Sequence, residues 1–388
     1  MTNTTKVNDP KSICFVLSTP FTLNVFLLDH LNALADYFAV TVCVNLNYYP
    51  LSKRLDERIK VINIAINRKI SPFSDIKTVF ELFNILRNNQ FDAVHCITPK
   101  AILLGTLASY FAKIPNRIIS FTGQFWANHR GIKRFFFKQL DRLPILLANH
   151  YLADSRSQVD YLRSEGLLGR QSIEVFGHGS IAGVDLKRFN LDPTARAAKR
   201  VEVGDNEKDF IFLFVGRIAR DKGITDLLKA FEGVRGSRTD IKLWMVGPDE
   251  EGIISSMTRM PEGVKWLGST EYPEDVMKAA DLMILPSYRE GFGVVIIEAA
   301  ACGVPTVAYN IVGVKDAIVP NQTGLLVELK NIENLISAMR FLETNKEMLY
   351  LMRVNGIERA NKFFDSKKIT NYWIFFYNKM LPNQLSVE

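Results

Sequence analysis

The stretch that decides the fold is Pro286-Ser287-Tyr288-Arg289-Glu290-Gly291-Phe292-Gly293-Val294-Val295-Ile296-Ile297-Glu298-Ala299. It follows an apolar run, Leu282 to Leu285, short enough to be a buried parallel strand. Beyond the Gly-Phe-Gly turn lies an apolar segment, Val294 to Cys302, stopped by Gly303 and Pro305 as a helix is. The pattern is strand, glycine turn, helix N-terminus, with Glu290 in the turn and Glu298 inside the helix. A helix N-terminus at the carboxyl end of a parallel strand offers free N–H groups and the positive end of a dipole, which suits a phosphate. Glu298 falls a turn or so into the helix, behind that phosphate, where a carboxylate can accept from a sugar diol. Such a site fits a nucleotide diphosphate carrying a sugar.

Upstream, Phe210 to Val215 reads as a buried strand, and Gly216 to Gly223 as its outgoing loop. Arg217 and Lys222 then project from the carboxyl end of a sheet, the side on which open α/β folds bind ligands. Earlier still, Gly177-His178-Gly179-Ser180 and Gly183-Val184-Asp185 make an irregular glycine-rich crossing that reads as a hinge.

Together these blocks resemble the signature of the retaining GT-B glycosyltransferases of family 4. Glu290 and Glu298 with Gly-Phe-Gly after the first match its spaced pair. Val215-Gly216-Arg217-Ile218-Ala219-Arg220-Asp221-Lys222-Gly223 resembles its diphosphate-binding loop, and Gly183-Val184-Asp185 with Phe189 its interdomain segment. The resemblance is sharp from about Gly183 to Val327. It implies an α/β protein of two Rossmann-like doubly wound domains facing across a cleft. Residues 1–190 form the acceptor-binding domain, 191–365 the nucleotide-sugar-binding domain, and 366–388 a helix returning to the first.

By this resemblance Arg217, Lys222 and Glu290 are the catalytic residues. Glu298, Gly291, Phe292, Gly293, Val294, Gly216 and Gly268 bind the donor, the last where relatives cradle the base. Thr19, Lys100, Thr122, Gly123 and Gln124 stand on the acceptor or donor-sugar side. Three positions depart from the family pattern. Ser18-Thr19-Pro20-Phe21-Thr22 replaces a glycine pair, Thr122 stands where many relatives have histidine, and Ala182 where they have asparagine. No histidine acid or base is carried over.

The first half alternates apolar runs with helical segments. Strands are predicted at Ser12–Leu17, 40–44, 61–65, Ala93–Ile97, 117–121, 148–153 and 173–176, with helices at 23–35, 76–86, Ala101–Phe111 and 155–162. That alternation predicts a parallel sheet with helices on both faces. His95, inside a strand, reads as a core histidine rather than a catalyst. Lys100, just past a strand end, is placed either to meet an anionic acceptor or as a solvated loop lysine. The charged run 194–209 reads as a linker into the second domain. The aromatic segment 365–380 is too apolar to be free in solvent.

Within 130–143, Arg130, Lys133, Arg134 and Lys138 fall on one arc of a helix, and Ile132, Phe135, Phe136, Leu140 and Leu143 on another. Two readings stay open: a helix lying on an anionic membrane, or one packing its Phe face on the sheet.

Composition sets the frame. The chain has 388 residues, past the size at which single cores split. It is 47% hydrophobic and 23% charged, an ordinary globular balance. No apolar run approaches the roughly 20 residues that span a bilayer. The polar start, Met1 to Lys11, lacks the apolar core of a signal peptide, so a cytoplasmic protein is expected. Cys14, Cys43, Cys96 and Cys302 are scattered and read as buried thiols. A net charge of +7 is compatible with anionic lipid, nucleotide or nucleic acid; no nucleic-acid-binding motif accompanies it.

The expectation is therefore a metal-independent hexosyltransferase-type enzyme with no cofactor. It moves a sugar from a nucleotide-diphosphate donor, UDP favoured, to a polyprenol-linked or polysaccharide acceptor in capsule or lipopolysaccharide synthesis. It is cytoplasmic, or peripheral on the inner face of the plasma membrane through 130–143. The alternative is a non-catalytic nucleotide-sugar-binding subunit of the same fold.

Overall fold

The structure, a computed structural model, describes residues 10–67 and 71–382; the polar stretch 1–9 lies outside them. It divides into two compact units. Among the described residues, one holds 10–67, 71–154, 159–177 and 368–382; the other holds Ser155–Gln158 and His178–Lys367. Segment 178–190, grouped on sequence with the first domain, thus belongs to the second unit. There Val184 donates its N–H to Phe364 O at 2.7 Å, and Arg188 pairs with Glu274 at 2.8 Å.

In chain order the first unit contains β1 (Ser12–Leu17), α1 (Pro20–Thr22), α2 (Leu28–Leu34), β2 (Ala39–Val44), β3 (Lys60–Asn63), α3 (Pro72–Asn89) and β4 (Ala93–Ile97). There follow α4 (Pro99–Phe111), β5 (Asn116–Phe121), α5 (Gly131–Leu147) and β6 (His150–Ala153), and the chain continues into α6 (Arg156–Ser164). All strand pairs are parallel, in the order β3-β2-β1-β4-β5-β6. β1 and β4 are buried almost throughout because helices cover both faces, which is why they read as unbroken apolar runs.

The second unit opens with α7 (Pro193–Val203), β7 (Phe210–Val215), α8 (Ile224–Arg235), β8 (Ile241–Val246), β9 (Val264–Trp266), α9 (Pro273–Ala279) and β10 (Leu282–Leu285). It goes on through α10 (Val294–Ala301), β11 (Thr306–Tyr309), α11 (Val314–Ala317), β12 (Gly324–Val327), α12 (Ile332–Thr344) and α13 (Lys346–Phe363). Its parallel sheet runs β12-β11-β10-β7-β8-β9. Each sheet therefore reverses its strand order once, between β1 and β4 and between β7 and β10.

The last helix, α14 (Ser366–Met380), packs its aromatic face within the first unit. Tyr377 Oη lies 2.6 Å from His95 Nδ1, and Ser120 Oγ lies 2.7 Å from His95 Nε2. Burial holds the His95 imidazole down to about 3, so it stays neutral, a doubly bonded core histidine. All four cysteines are free and buried, three of them in β1, β2 and β4.

Two local expectations are corrected and one open alternative is closed. Residues 173–176 form no strand, only a single bridge of Glu174 to Leu152, before Gly177 turns the chain at a φ of 51°. The 194–209 run is largely helical: Asp192 caps α7 by accepting from Thr194 and Ala195, and Pro193 opens it. Two of its charges point inward, where Arg196 and Arg200 both reach Asp281 at 2.7 Å. Third, α5 does not pack its Phe face on the sheet. Arg134 and Lys138 turn inward instead, 2.6 and 2.8 Å from Glu165 and stacked over the buried Trp126.

Candidate active site

The second unit gathers most of the expected donor residues where its sheet order reverses, the position at which doubly wound folds open a crevice. Two loops meet there: Gly216–Gly223 after β7, and Pro286–Gly293 after β10. Tyr288 donates its N–H to Asp221 O at 2.9 Å, and any side chain at Gly223 (φ 69°) would strike the Pro286 carbonyl. Glycine is therefore required for the loops to approach so closely. Below them, the hydroxyls of Tyr288 and Tyr309 donate to Asp226, at 2.9 and 2.8 Å, and fix the second loop to α8.

Across this junction Lys222 Nζ stands 2.6 Å from Glu290 Oε1, both side chains mostly buried. Arg217 is held by Glu250 at 2.8 Å and by Asp221 at 3.2 Å. Burial opposes its charge, but these carboxylates prevail and keep the guanidinium firmly protonated. Gly216 precedes it at the end of β7.

Gly291, Phe292, Gly293 and Val294 lead into α10. Phe292 is buried against Phe364, with ring centroids 5.5 Å apart, and anchors the turn. Gly293 takes a φ of 84°, and no side chain caps α10. Its first N–H groups are thus presented beside the Lys222–Glu290 loops, an arrangement that favours an anion. Gly268 follows β9, and its carbonyl accepts from Gly247 N–H at 2.8 Å.

Glu298, further along α10, belongs to a different cluster. Burial pushes its carboxyl up to about 7, with Arg188 pulling it down and Glu274 pushing it up. Arg188 is itself clamped by both oxygens of Glu274, at 2.9 and 2.8 Å. In an ordinary carboxylate range Glu298 would be fully charged at neutral pH; here it titrates near neutrality.

In the first unit the expected residues also collect at strand ends around an order reversal. Thr19 follows β1, Lys100 lies in the first turn of α4 after β4, and Thr122, Gly123 and Gln124 follow β5. Thr19 Oγ1 already accepts from Phe21 N–H at 3.2 Å, and Lys100 pairs with Asp75 at 2.6 Å. Between them Thr98 holds a φ of 82°, with its hydroxyl 2.7 Å from Ser18 Oγ. A β-branched residue enters that region only when its surroundings enforce it.

Sequence reading misses Asp226, Glu250, Arg188 and Glu274. Glu250 sits in the turn after β8; the adjacent strand end bearing Arg217 is its signal. Arg188 and Glu274 are 86 positions apart, and nothing local links them. Among the described residues, no group of three or more His, Cys, Asp or Glu is arranged to hold a metal ion.

Two family models match the chain: "Glycosyl transferases group 1" over residues 195–360 and "Glycosyl transferase 4-like" over residues 12–148. The chain belongs to this glycosyltransferase family. Among relatives, this glycosyltransferase is 28% identical over 336 residues to the capsular polysaccharide biosynthesis glycosyltransferase CapM of Staphylococcus aureus, covering 85% of this chain and 87% of that one. It is 25% identical over 342 residues to the N,N'-diacetylbacillosaminyl-diphospho-undecaprenol alpha-1,3-N-acetylgalactosaminyltransferase of Campylobacter jejuni, covering 85% and 89%. In fold it is similar to Anabaena HepE, solved in complex with UDP-glucose, with a TM-score of 0.76 at 18% identity over 95% and 99% of the two chains. The enzyme is thus a GT-B glycosyltransferase with two Rossmann-like units.

Proposed function

We propose that this glycosyltransferase moves a sugar from a uridine diphosphate donor, with retained configuration, onto a lipid-linked acceptor in capsule or lipopolysaccharide assembly. The observation that carries the reading is the Lys222–Glu290 pair beside the uncapped start of α10, at the order reversal of the second sheet. The departing diphosphate is gathered by Lys222, Arg217 and the Gly293–Val294 N–H groups. At about 4 Å and an effective dielectric near 20, one such charge contact contributes roughly 4 kcal/mol before desolvation. Positioned charge is therefore the strongest stabilisation these residues can offer the transition state.

Glu290, oriented by Lys222, hydrogen-bonds the donor sugar and favours cationic character at its anomeric carbon. Glu298 holds the ribose diol. Held by Lys222, Glu290 is poorly placed to act as a covalent nucleophile, which supports a front-face route in which the leaving phosphate oxygen takes the acceptor proton. The two cations supply the charge that a divalent ion supplies elsewhere, so turnover proceeds in chelator. Thr19, Lys100, Thr122, Gly123 and Gln124 of the first unit face the acceptor.

The UDP assignment is supported by the complex of HepE with UDP-glucose, and the lipid acceptor by the name of the Campylobacter relative. Such an acceptor places the enzyme at the inner face of the plasma membrane, with α5 as a contact. No described helix is long and apolar enough to cross a membrane. The test is a panel of nucleotide sugars with polyprenol-diphosphate glycan acceptors, reading turnover and anomeric outcome. Transfer from a UDP-sugar with retention is expected; binding without transfer to any acceptor would leave only a nucleotide-sugar-binding subunit.

A further inference from the structure

We propose that α3, α4 and α5 form one docking face for an anionic membrane surface, with α3 contributing as much as α5. The proposal rests on the lipid-linked acceptor reading and enlarges the contact that sequence places on α5 alone.

The topology puts these helices in one layer. They connect β3 to β4, β4 to β5 and β5 to β6, all stepping in one direction across the sheet, and α4 packs between the other two. On α3, Phe73, Ile76 and Phe80 share one helical stripe and are 91%, 57% and 64% exposed. On α5 the inward turn of Arg134 and Lys138 leaves Ile132, Phe135 and Phe136 outside, 88%, 66% and 56% exposed. Between these helices α4 carries no charge from Ala101 to Ala112. Apolar side chains scattered singly over a surface need no explanation, but two aromatic ridges flanking an uncharged helix make a patch.

Charge decides the occupant. Residues 72–147 hold ten lysines and arginines against four aspartates and glutamates, six of the seven net charges of the whole chain. Three of the four acids are engaged: Asp75 with Lys100, Asp92 with Lys11, and Asp141 with Trp126 Nε1 at 2.7 Å. Lys77, Arg130, Lys133 and Arg142 stand exposed around the ridges. A second copy of the chain, face to face, would oppose like charge to like charge. An anionic lipid surface instead attracts the basic rim and accepts the aromatic side chains at its headgroup boundary.

The experiment is flotation with phosphatidylglycerol-containing vesicles and with phosphatidylcholine vesicles, beside gel filtration. It compares the full chain, an α3 variant (Phe73→Ser, Ile76→Ser, Phe80→Ser) and an α5 variant (Ile132→Ser, Phe135→Ser, Phe136→Ser). All six positions are exposed, so the variants keep the fold, checked by unchanged UDP affinity. The expected result is salt-sensitive binding to the anionic vesicles that weakens about tenfold or more in either variant. Loss in the α5 variant with full binding in the α3 variant would overturn the shared face and leave α5 alone. A dimer dissociated by either variant, with no vesicle binding, would overturn it in favour of a second copy. Transfer to a detergent-dispersed lipid-linked acceptor, measured in parallel, separates failure of the docking face from failure of the acceptor reading.

Discussion

The two parallel sheets share one strand order, each reversing once, yet the strand ends at their reversals carry different chemistry. In the second unit that position is crowded with charge: Lys222 with Glu290, and Arg217 between Glu250 and Asp221. In the first unit it is lined by Ser18, Thr19, Thr98, Thr122 and Gln124, and a charged pair there, Lys100 with Asp75, is largely buried. Topology alone supplies two equivalent crevices. The loops that leave the strands fill one of them with ion pairs and line the other with hydroxyls.

The sharpest way to break this contrast is to remove charge from the second unit. Lys222→Ala leaves Glu290 unpaired and removes the proposed diphosphate contact, so kcat should fall about 100- to 1,000-fold. Arg217→Ala should act in the same direction and less strongly, since Lys222 and the α10 N–H groups remain. Steady-state kinetics with saturating donor measures both; an unchanged kcat in both would remove the assignment.

Glu298→Ala should instead raise the donor KM about 10- to 100-fold, the equivalent of one charge-assisted hydrogen bond. Because burial lifts this carboxyl to about 7, donor KM should fall as pH rises through about 7, and Glu298→Gln should flatten that profile. Stability responds in the opposite sense. The folded state holds the proton more tightly than the unfolded chain, so the Glu298 contribution to stability is greatest at low pH and declines as pH rises from the ordinary 4.5 towards 7. Thermal melts should show Glu298→Gln gaining on the wild type over that window.

In the first unit, Lys100→Ala should change acceptor KM by only several-fold and leave donor KM unchanged, since the lysine is already neutralised by Asp75. A large loss of donor binding there would erase the distinction between the two crevices. The smallest catalytic effect is expected for Tyr377→Phe. It removes the hydroxyl beside His95 and should cost about 1–3 kcal/mol of stability in denaturant unfolding, with kcat preserved.

Much of this was legible in the residues. The strands announce themselves because both faces are covered, which makes Phe210 to Val215 and Leu282 to Leu285 continuous apolar runs. The two loops of the candidate site were legible because glycine spacing and cations fall directly after those runs. Long-range pairing was not. The charges of α7 resemble solvent-facing linker residues because Asp281, which makes their burial tolerable, lies some 80 residues away. The amphipathic pattern of α5 shows its two faces but not which one turns inward. Trp126 and Glu165 settle that, by offering an aromatic ring and a carboxylate to Arg134 and Lys138. The Arg188–Glu274 clamp near Glu298 has no local sequence signature at all.

The most direct measurement is a crystal structure with a UDP-sugar bound. The two phosphates are expected within hydrogen-bond reach of Lys222, Arg217 and the first N–H groups of α10, with the ribose diol at Glu298. Phosphates lodged instead beside Thr19, Thr98 and Gly123 of the first unit would contradict this expectation.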